Sequence, residues 1–158
     1  MSALKLLGGV LIMTAGILSA LGSAVREKKK LEVLESWIDL TVYIRGQIDC
    51  FLAPLDEILE GADQTLLARL NGNGKERSLS AYLKSSEPFL DEETRKLLTS
   101  LVRELGTSYR EEQVKRCDYY LASLRAIREK RAAELPQKTR LYATLSLCAS
   151  TALLILLW

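Results

Sequence analysis

The sequence predicts an all-α protein in which two transmembrane helices flank a cytoplasmic helical bundle. Three observations predict it. Apolar positions recur every three to four residues through the middle of the chain and nowhere alternate with period two. Each end carries an uncharged apolar run, and basic residues border both runs on their inner side. With 158 residues the chain is long enough for one domain, and 48% apolar residues is high for a soluble domain of that size, the excess lying at the two ends.

Leu6 to Val25 is a run of twenty residues without a charge, about 30 Å long as a helix, which matches the hydrocarbon core of a bilayer. Arg26, Lys28, Lys29 and Lys30 follow at once, with only Glu27 among them, and the positive-inside bias keeps that side in the cytoplasm. Leu141 to Trp158 is a second uncharged run of eighteen residues, about 27 Å if helical, preceded by Lys138 and Arg140. Both runs predict one topology, with an N-terminal span over 1–25, a cytoplasmic bundle over 26–140 and a C-terminal span over 141–158. A cleavable signal peptide is the rival for the first run, because Lys5, an apolar core and small residues at Ala20, Gly22 and Ala24 fit its outline. The long core and the basic cluster directly behind it argue for an uncleaved anchor.

No proline interrupts the chain before Pro54, so the first helix is expected to continue inward with Leu31, Leu34, Ile38, Val42, Ile48 and Leu52 on one face, broadened by Trp37, Leu40, Ile44 and Phe51. Gly46 is its weak point. Pro54 suits the first turn of a second helix that buries Leu55, Ile58 and Leu59 and ends at Gly61. Asp63 can cap a short helix with Leu66, Leu67 and Leu70 inward, and Asn71-Gly72-Asn73-Gly74 is the clearest turn. An amphipathic piece, Ser78 to Lys84, precedes a break at Pro88. Asp91, Glu92 and Glu93 favour a helix start, Leu97, Leu98, Leu101, Val102 and Leu105 form its apolar face, and Gly106 ends it. Ser108 with Glu111 forms a capping box that opens the last central helix, with Val114, Cys117, Leu121, Leu124 and Ile127 on one face, and Pro136 is expected to stop or kink it.

Charge and residue types exclude several function classes. Leu31 to Asp63 sets Arg45 against eight carboxylates, net −7, while the remainder to Arg140 is mildly basic, so no element offers the basic, aromatic-interleaved surface of a nucleic-acid binder. The acidic half suits a basic partner, or is simply a solvated helix face. The chain has no histidine, which removes the usual general base, the common zinc ligand and every Ser-His or Cys-His pair. Cys50, Cys117 and Cys148 form no CxxC pair and indicate neither a disulfide framework nor a metal site. Gly72-Asn73-Gly74-Lys75 lacks the earlier glycine of a phosphate loop, where Arg69 stands, and Glu76 replaces its Ser or Thr. Paired carboxylates at Glu92 and Glu93, and at Glu111 and Glu112, occupy first helical turns, where the helix dipole accounts for them. Tyr119 and Tyr120 read as core or partner-facing packing on an amphipathic helix, and Gly9 with Gly16, on one face of the first run, as a place of close helix approach. No catalytic residue, cofactor site or metal site is expected.

Several segments carry a family likeness. The N-terminal LKLLGGVLI, the stretch IRGQIDCFLAPLDEIL, the later LGTSYREEQVKRC and the closing LLILLW together resemble the stage III sporulation protein AB family of endospore-forming bacteria. Its sharpest pieces here are Ala53-Pro54-Leu55 followed by Glu57, and Leu105-Gly106-Thr107-Ser108 followed by Arg110-Glu111-Glu112-Gln113. Tyr109 stands where the family commonly has aspartate, and Ser146, Ala149 and Ser150 where glycines are frequent.

The resemblance implies a bundle like the cytoplasmic domain of the type II secretion platform protein. It implies membership of a multiprotein channel complex between mother cell and forespore, in the mother cell's engulfing membrane, with a stage III sporulation protein AA-like ATPase and the other membrane proteins of that complex as partners. The expected function is a non-enzymatic membrane platform that couples the ATPase to the channel. A small pore-forming or holin-like protein is the alternative, although so long a central section is more than a simple pore needs. Candidate partner-docking residues are Asp56, Glu57, Glu60, Arg110, Glu111, Glu112 and Gln113, and the membrane-flanking set is Arg26, Lys28, Lys29, Lys30, Lys138 and Arg140. Copy number is left open, a homo-oligomer included.

Overall fold

The computed structural model describes residues 2–51, 55–70, 78–107 and 109–157, the side chains of 2–13, 20, 51, 56, 153, 154, 156 and 157 excepted. Helix α1 is Ser2–Phe51, α2 Leu55–Glu60, α3 Gln64–Arg69 and α4 Leu79–Ser86. A 3₁₀ turn, Glu87–Phe89, leads to α5, Glu92–Glu104, and the chain ends on α6, Arg110–Leu157. The protein is all-α among the described residues. It divides into two compact units, one of Met1–Lys28 with Ala132–Trp158, the other of Lys29–Arg131.

The unit Lys29–Arg131 is a bundle around α1. Val33, Leu34, Trp37, Ile38, Leu40, Ile44 and Ile48 are buried together with Ile58 and Leu59 of α2, Leu67 of α3, Leu79 and Tyr82 of α4, Leu98 and Leu101 of α5, and Cys117, Tyr120, Leu121 and Leu124 of α6. The expected α1 face needs one correction. Val42 is 41% exposed, because at about 100° per residue it lies roughly 165° from the centre of the face that Trp37, Leu40 and Ile44 define. Those three, expected only to broaden the face, are its middle. Leu52 and Pro54 lie outside the described residues.

Capping follows the sequence closely where it can be seen. Asp63 accepts the Thr65 N–H at 2.9 Å to open α3, Ser78 accepts the Ala81 N–H at 3.4 Å to open α4, and Asp91 accepts the Thr94 N–H at 3.2 Å to open α5. Gly106, at φ +83°, takes the left-handed turn after α5 that a side chain disfavours. Gly61 ends α2 for another reason, since a Cβ there would stand 3.1 Å from the Tyr43 hydroxyl. The Asn71–Gly74 turn and the Ser108 half of the capping box lie outside the described residues.

Two polar groups tie the bundle from inside. The Trp37 Nε1–H donates to Ser86 Oγ at 3.2 Å, and the Ser86 hydroxyl can donate to the Tyr82 carbonyl at 2.7 Å or the Leu70 carbonyl at 2.8 Å. One hydroxyl thus joins α1, the end of α3 and α4. Thr41, also buried, donates to the Trp37 carbonyl at 2.7 Å, and no buried side-chain polar atom among the described residues lacks a partner. Gly46, by contrast, has nothing within 4 Å of where a Cβ would stand. Gly46→Ala should therefore raise stability by about 1 kcal/mol, the difference in helix propensity, seen as a higher urea midpoint at unchanged slope.

In the unit Met1–Lys28 with Ala132–Trp158, sections of α1 and α6 pack closely at one point. The Ser146 hydroxyl donates to the Gly16 carbonyl at 2.5 Å, and a Cβ on Gly16 would collide with the Ser150 side chain. The close approach is made by glycine on α1, so the serines at 146 and 150 on α6 are accommodated. Pro136 lies inside α6 rather than ending it. Its ring removes one backbone hydrogen bond, yet its fixed φ is compatible with a helix, and the chain stays helical through it.

The expected pair of transmembrane helices is not upheld. Among the described residues, no helix is long and apolar enough to cross a membrane. A span needs about twenty predominantly apolar residues. The uncharged section of α1 whose side chains are described runs over 14–25 and includes Thr14, Gly16, Ser19, Gly22 and Ser23, while that of α6 runs over 141–152 and includes Thr144, Ser146, Ser150 and Thr151. Each includes hydroxyl-bearing or small side chains among its apolar ones. The remaining side chains of the two predicted runs, 6–13 and 20 in the first and 153, 154 and 156–158 in the second, lie outside the described ones. The all-α assignment stands and the transmembrane part of it does not.

Candidate docking surface

Three arginine–carboxylate pairs bind α1 to α6 in the bundle unit. Arg45 grips Asp118 in a two-pronged contact at 2.8 and 3.2 Å, Arg128 reaches Glu35 at 2.6 Å, and Arg110 bonds the Asp49 carboxylate at 3.1 Å and also the Asp49 carbonyl. Each step back along α1 is matched by a step forward along α6, so the helices run antiparallel. A hydrogen bond from the Arg45 guanidinium, opposed by partial burial, holds the Asp118 carboxyl below the usual range. These pairs are partly exposed, so each adds little stability, and their role is to fix register.

At the start of α5, Arg131 of α6 pairs with Asp91 and donates to Thr94 Oγ1 at 3.3 Å. Burial pushes the Asp91 carboxyl up, but the Thr94 hydrogen bonds and the Arg131 guanidinium outweigh it and bring it below the usual value. At the other end of α5, the Tyr120 hydroxyl donates to Glu104 at 3.0 Å, and Arg116 lies 3.5 Å from the same carboxylate.

The sequence-predicted docking residues separate into two groups. Glu57 and Glu60 are exposed on α2, whose Ile58 and Leu59 are buried, so a fixed base presents the carboxylates. The Asp56 side chain lies outside the described ones. Glu111 is exposed in the first turn of α6. Arg110 is held by Asp49, Glu112 pairs with Arg116 at 2.6 Å, and Gln113 also has an intrachain partner. Glu57 and Glu60 thus stand on α2, and Arg110, Glu111, Glu112 and Gln113 at the start of α6. Of the basic set, Arg26, Lys28 and Arg140 are exposed, Lys29 pairs with Glu32 at 3.3 Å, Lys138 pairs with Glu134 at 2.8 Å, and Lys30 has a partner as well.

A groove of about 600 Å³ lies between α5 and α6, with Leu97, Tyr119 and Ile127 among its walls. Tyr119 and Tyr120 meet edge to face with centroids 5.3 Å apart; Tyr120 is buried while Tyr119 is 64% exposed. Of the two kinds of packing expected, Tyr120 takes the core one, and Tyr119 faces outward. Adjacent helical positions point about 100° apart, which the pair itself cannot reveal without the neighbouring helix.

Among the described residues, no group of His, Cys, Asp and Glu side chains could hold a metal ion. Burial pushes the Cys117 thiol up to about 11, leaving almost no thiolate at neutral pH, whereas Cys50 is exposed. Maleimide should accordingly modify Cys50 in the native protein and Cys117 only once denaturant is added. Modification of Cys117 at the native rate of Cys50 would contradict the packing of α6 against α1.

A family model for stage III sporulation protein AB matches residues 67–158. No curated protein and no solved structure matches the chain.

Proposed function

Since this chain belongs to the stage III sporulation protein AB family, we propose that it is a non-enzymatic platform of a sporulation-specific, secretion-like channel complex between mother cell and forespore, coupling a cytoplasmic ATPase to the channel. The observation that carries the reading is the acidic section on a fixed base. Glu57 and Glu60 project from α2 while Ile58 and Leu59 anchor it, within a section, 31–63, of net charge −7. Such a surface favours a basic patch on the partner and speeds encounter with it. The partner is a stage III sporulation protein AA-like ATPase, and the docking set is Asp56, Glu57, Glu60 and Glu111. Arg110, Glu112 and Gln113 shape the neighbouring helix start through their intrachain contacts.

Reversing the charge at Glu57 and Glu60 to lysine tests this. Both side chains are exposed, so the helical circular-dichroism spectrum should be unchanged while association with the ATPase falls by at least roughly tenfold at low salt. Association at the wild-type level would remove the acidic docking surface from the proposal.

A further inference from the structure

The α5–α6 groove has a shape and a charge pattern that complement each other across a two-fold axis. Helices α5 and α6 run antiparallel, as Arg131 against Asp91 and Tyr120 against Glu104 require. By that register Glu93 lies level with about position 130 of α6, and Leu97 level with about position 126. The groove floor is narrow-sided because Ser100, Ser123 and Ala126 are small. At one end Tyr119 projects, 64% exposed, and at the other Leu97 and Ile127 form an apolar notch, both half-buried. A projecting ring and an apolar notch at opposite ends of one groove are what an isologous contact uses twice.

Charge gives the same register. Lys115 lies one turn before Tyr119 on the same face of α6, and Glu93 lies just beyond the notch on α5. Neither has an ion pair among the described residues, although their neighbours Glu92, Arg95, Lys96, Glu112 and Arg116 all do. An axis through Ser123 exchanges positions equally spaced on either side of it. Tyr119, about 6 Å before Ser123, then meets the notch of the second copy, and Lys115, about 12 Å before it, comes level with Glu93, about 10 Å beyond it.

We propose that the α5–α6 groove is the interface of a two-fold dimer of this chain, with Tyr119 seated between Leu97 and Ile127 of the second copy and Lys115 paired with its Glu93. Tyrosine seated in a desolvated notch is the usual energetic centre of such an interface, and the rim charges set its register.

The test uses the full chain with Cys50→Ser and Cys148→Ser, and with Ser123→Cys placed on the axis. A residue on a two-fold axis faces its own copy, so a short bismaleimide should link two chains. Tyr119→Ala should lower the dimer yield roughly tenfold, as should Lys115→Glu alone and Glu93→Lys alone, while the double variant Lys115→Glu/Glu93→Lys should recover it. Circular dichroism on each variant keeps loss of association distinct from loss of fold. Absence of a Ser123→Cys dimer, a dimer indifferent to Lys115→Glu, or a double variant as weak as the singles would each overturn the proposal, as would cross-linking of that cysteine only to a different protein.

Discussion

Trp37→Ala should destabilise the bundle unit by about 3–5 kcal/mol, the range for removing a large aromatic side chain from a packed core. Trp37 is 1% exposed and lies at the middle of the α1 face, in the buried cluster to which every other helix of the unit contributes. The loss has two parts. Most is the apolar contact and the cavity left behind, and the rest is the Nε1–H bond to Ser86 at 3.2 Å. Trp37→Phe retains much of the first part and removes the second, so it should cost distinctly less than alanine. Ser86→Ala should cost about 1–3 kcal/mol, because it leaves the buried Trp37 N–H without an acceptor and the Leu70 and Tyr82 carbonyls without that donor. The double variant Trp37→Phe/Ser86→Ala should cost less than the two singles together, since the second change no longer strands the first partner. Urea unfolding of the four proteins measures all of this, and a Trp37→Ala loss below about 1 kcal/mol would show that α1 is not the centre of the core.

Periodicity carried the helices in this sequence but not their exact faces. The apolar rows of α5 and α6 lie where spacing places them, and the caps at Asp63 and Asp91 form as their residue types require. Helix α1 is richer in apolar residues than one face needs, so spacing alone admitted Val42, and only the five helices around it select Trp37, Leu40 and Ile44 as the centre. The membrane assignment rested on two uncharged apolar runs of bilayer length with basic residues on their inner sides. Among the described residues no helix is long and apolar enough to cross a membrane. Of the candidate docking residues, Glu57 and Glu60 could be read as exposed because they alternate with an apolar pair on a short helix. The engagement of Arg110 by Asp49 could not be read, because the two residues are sixty-one positions apart and meet only through the antiparallel register of α1 and α6. The same holds for Arg45 with Asp118. Long-range ion pairs leave no local signature, whereas caps do, because a cap and its target are two or three residues apart.

Leu97 and Leu98 are neighbours in one apolar run, and they should behave as residues of different kinds. Leu98 is fully buried and Leu97 half-buried, since a single helical step turns one side chain into the core and the other toward the groove beside Tyr119. Leu98→Ala removes methyl groups from a site enclosed on all sides and should cost about 2–5 kcal/mol. Leu97→Ala leaves a gap open to solvent, into which water enters at little cost, and should lose less than half as much. The sign of the difference is the informative quantity, because both variants remove the same atoms from the same helix and share its propensity change. Chemical unfolding of the two proteins decides the facing of α5. Equal losses would place both leucines in the core and close the groove, while a larger loss at Leu97 would mean that α5 is rotated by about one residue, which would move Leu101 and Val102 outward and bring Ser100 and Glu104 inward. With the large loss at Leu98, the apolar surface remaining at Leu97 contributes little to the folded chain on its own and is available for contact with another molecule.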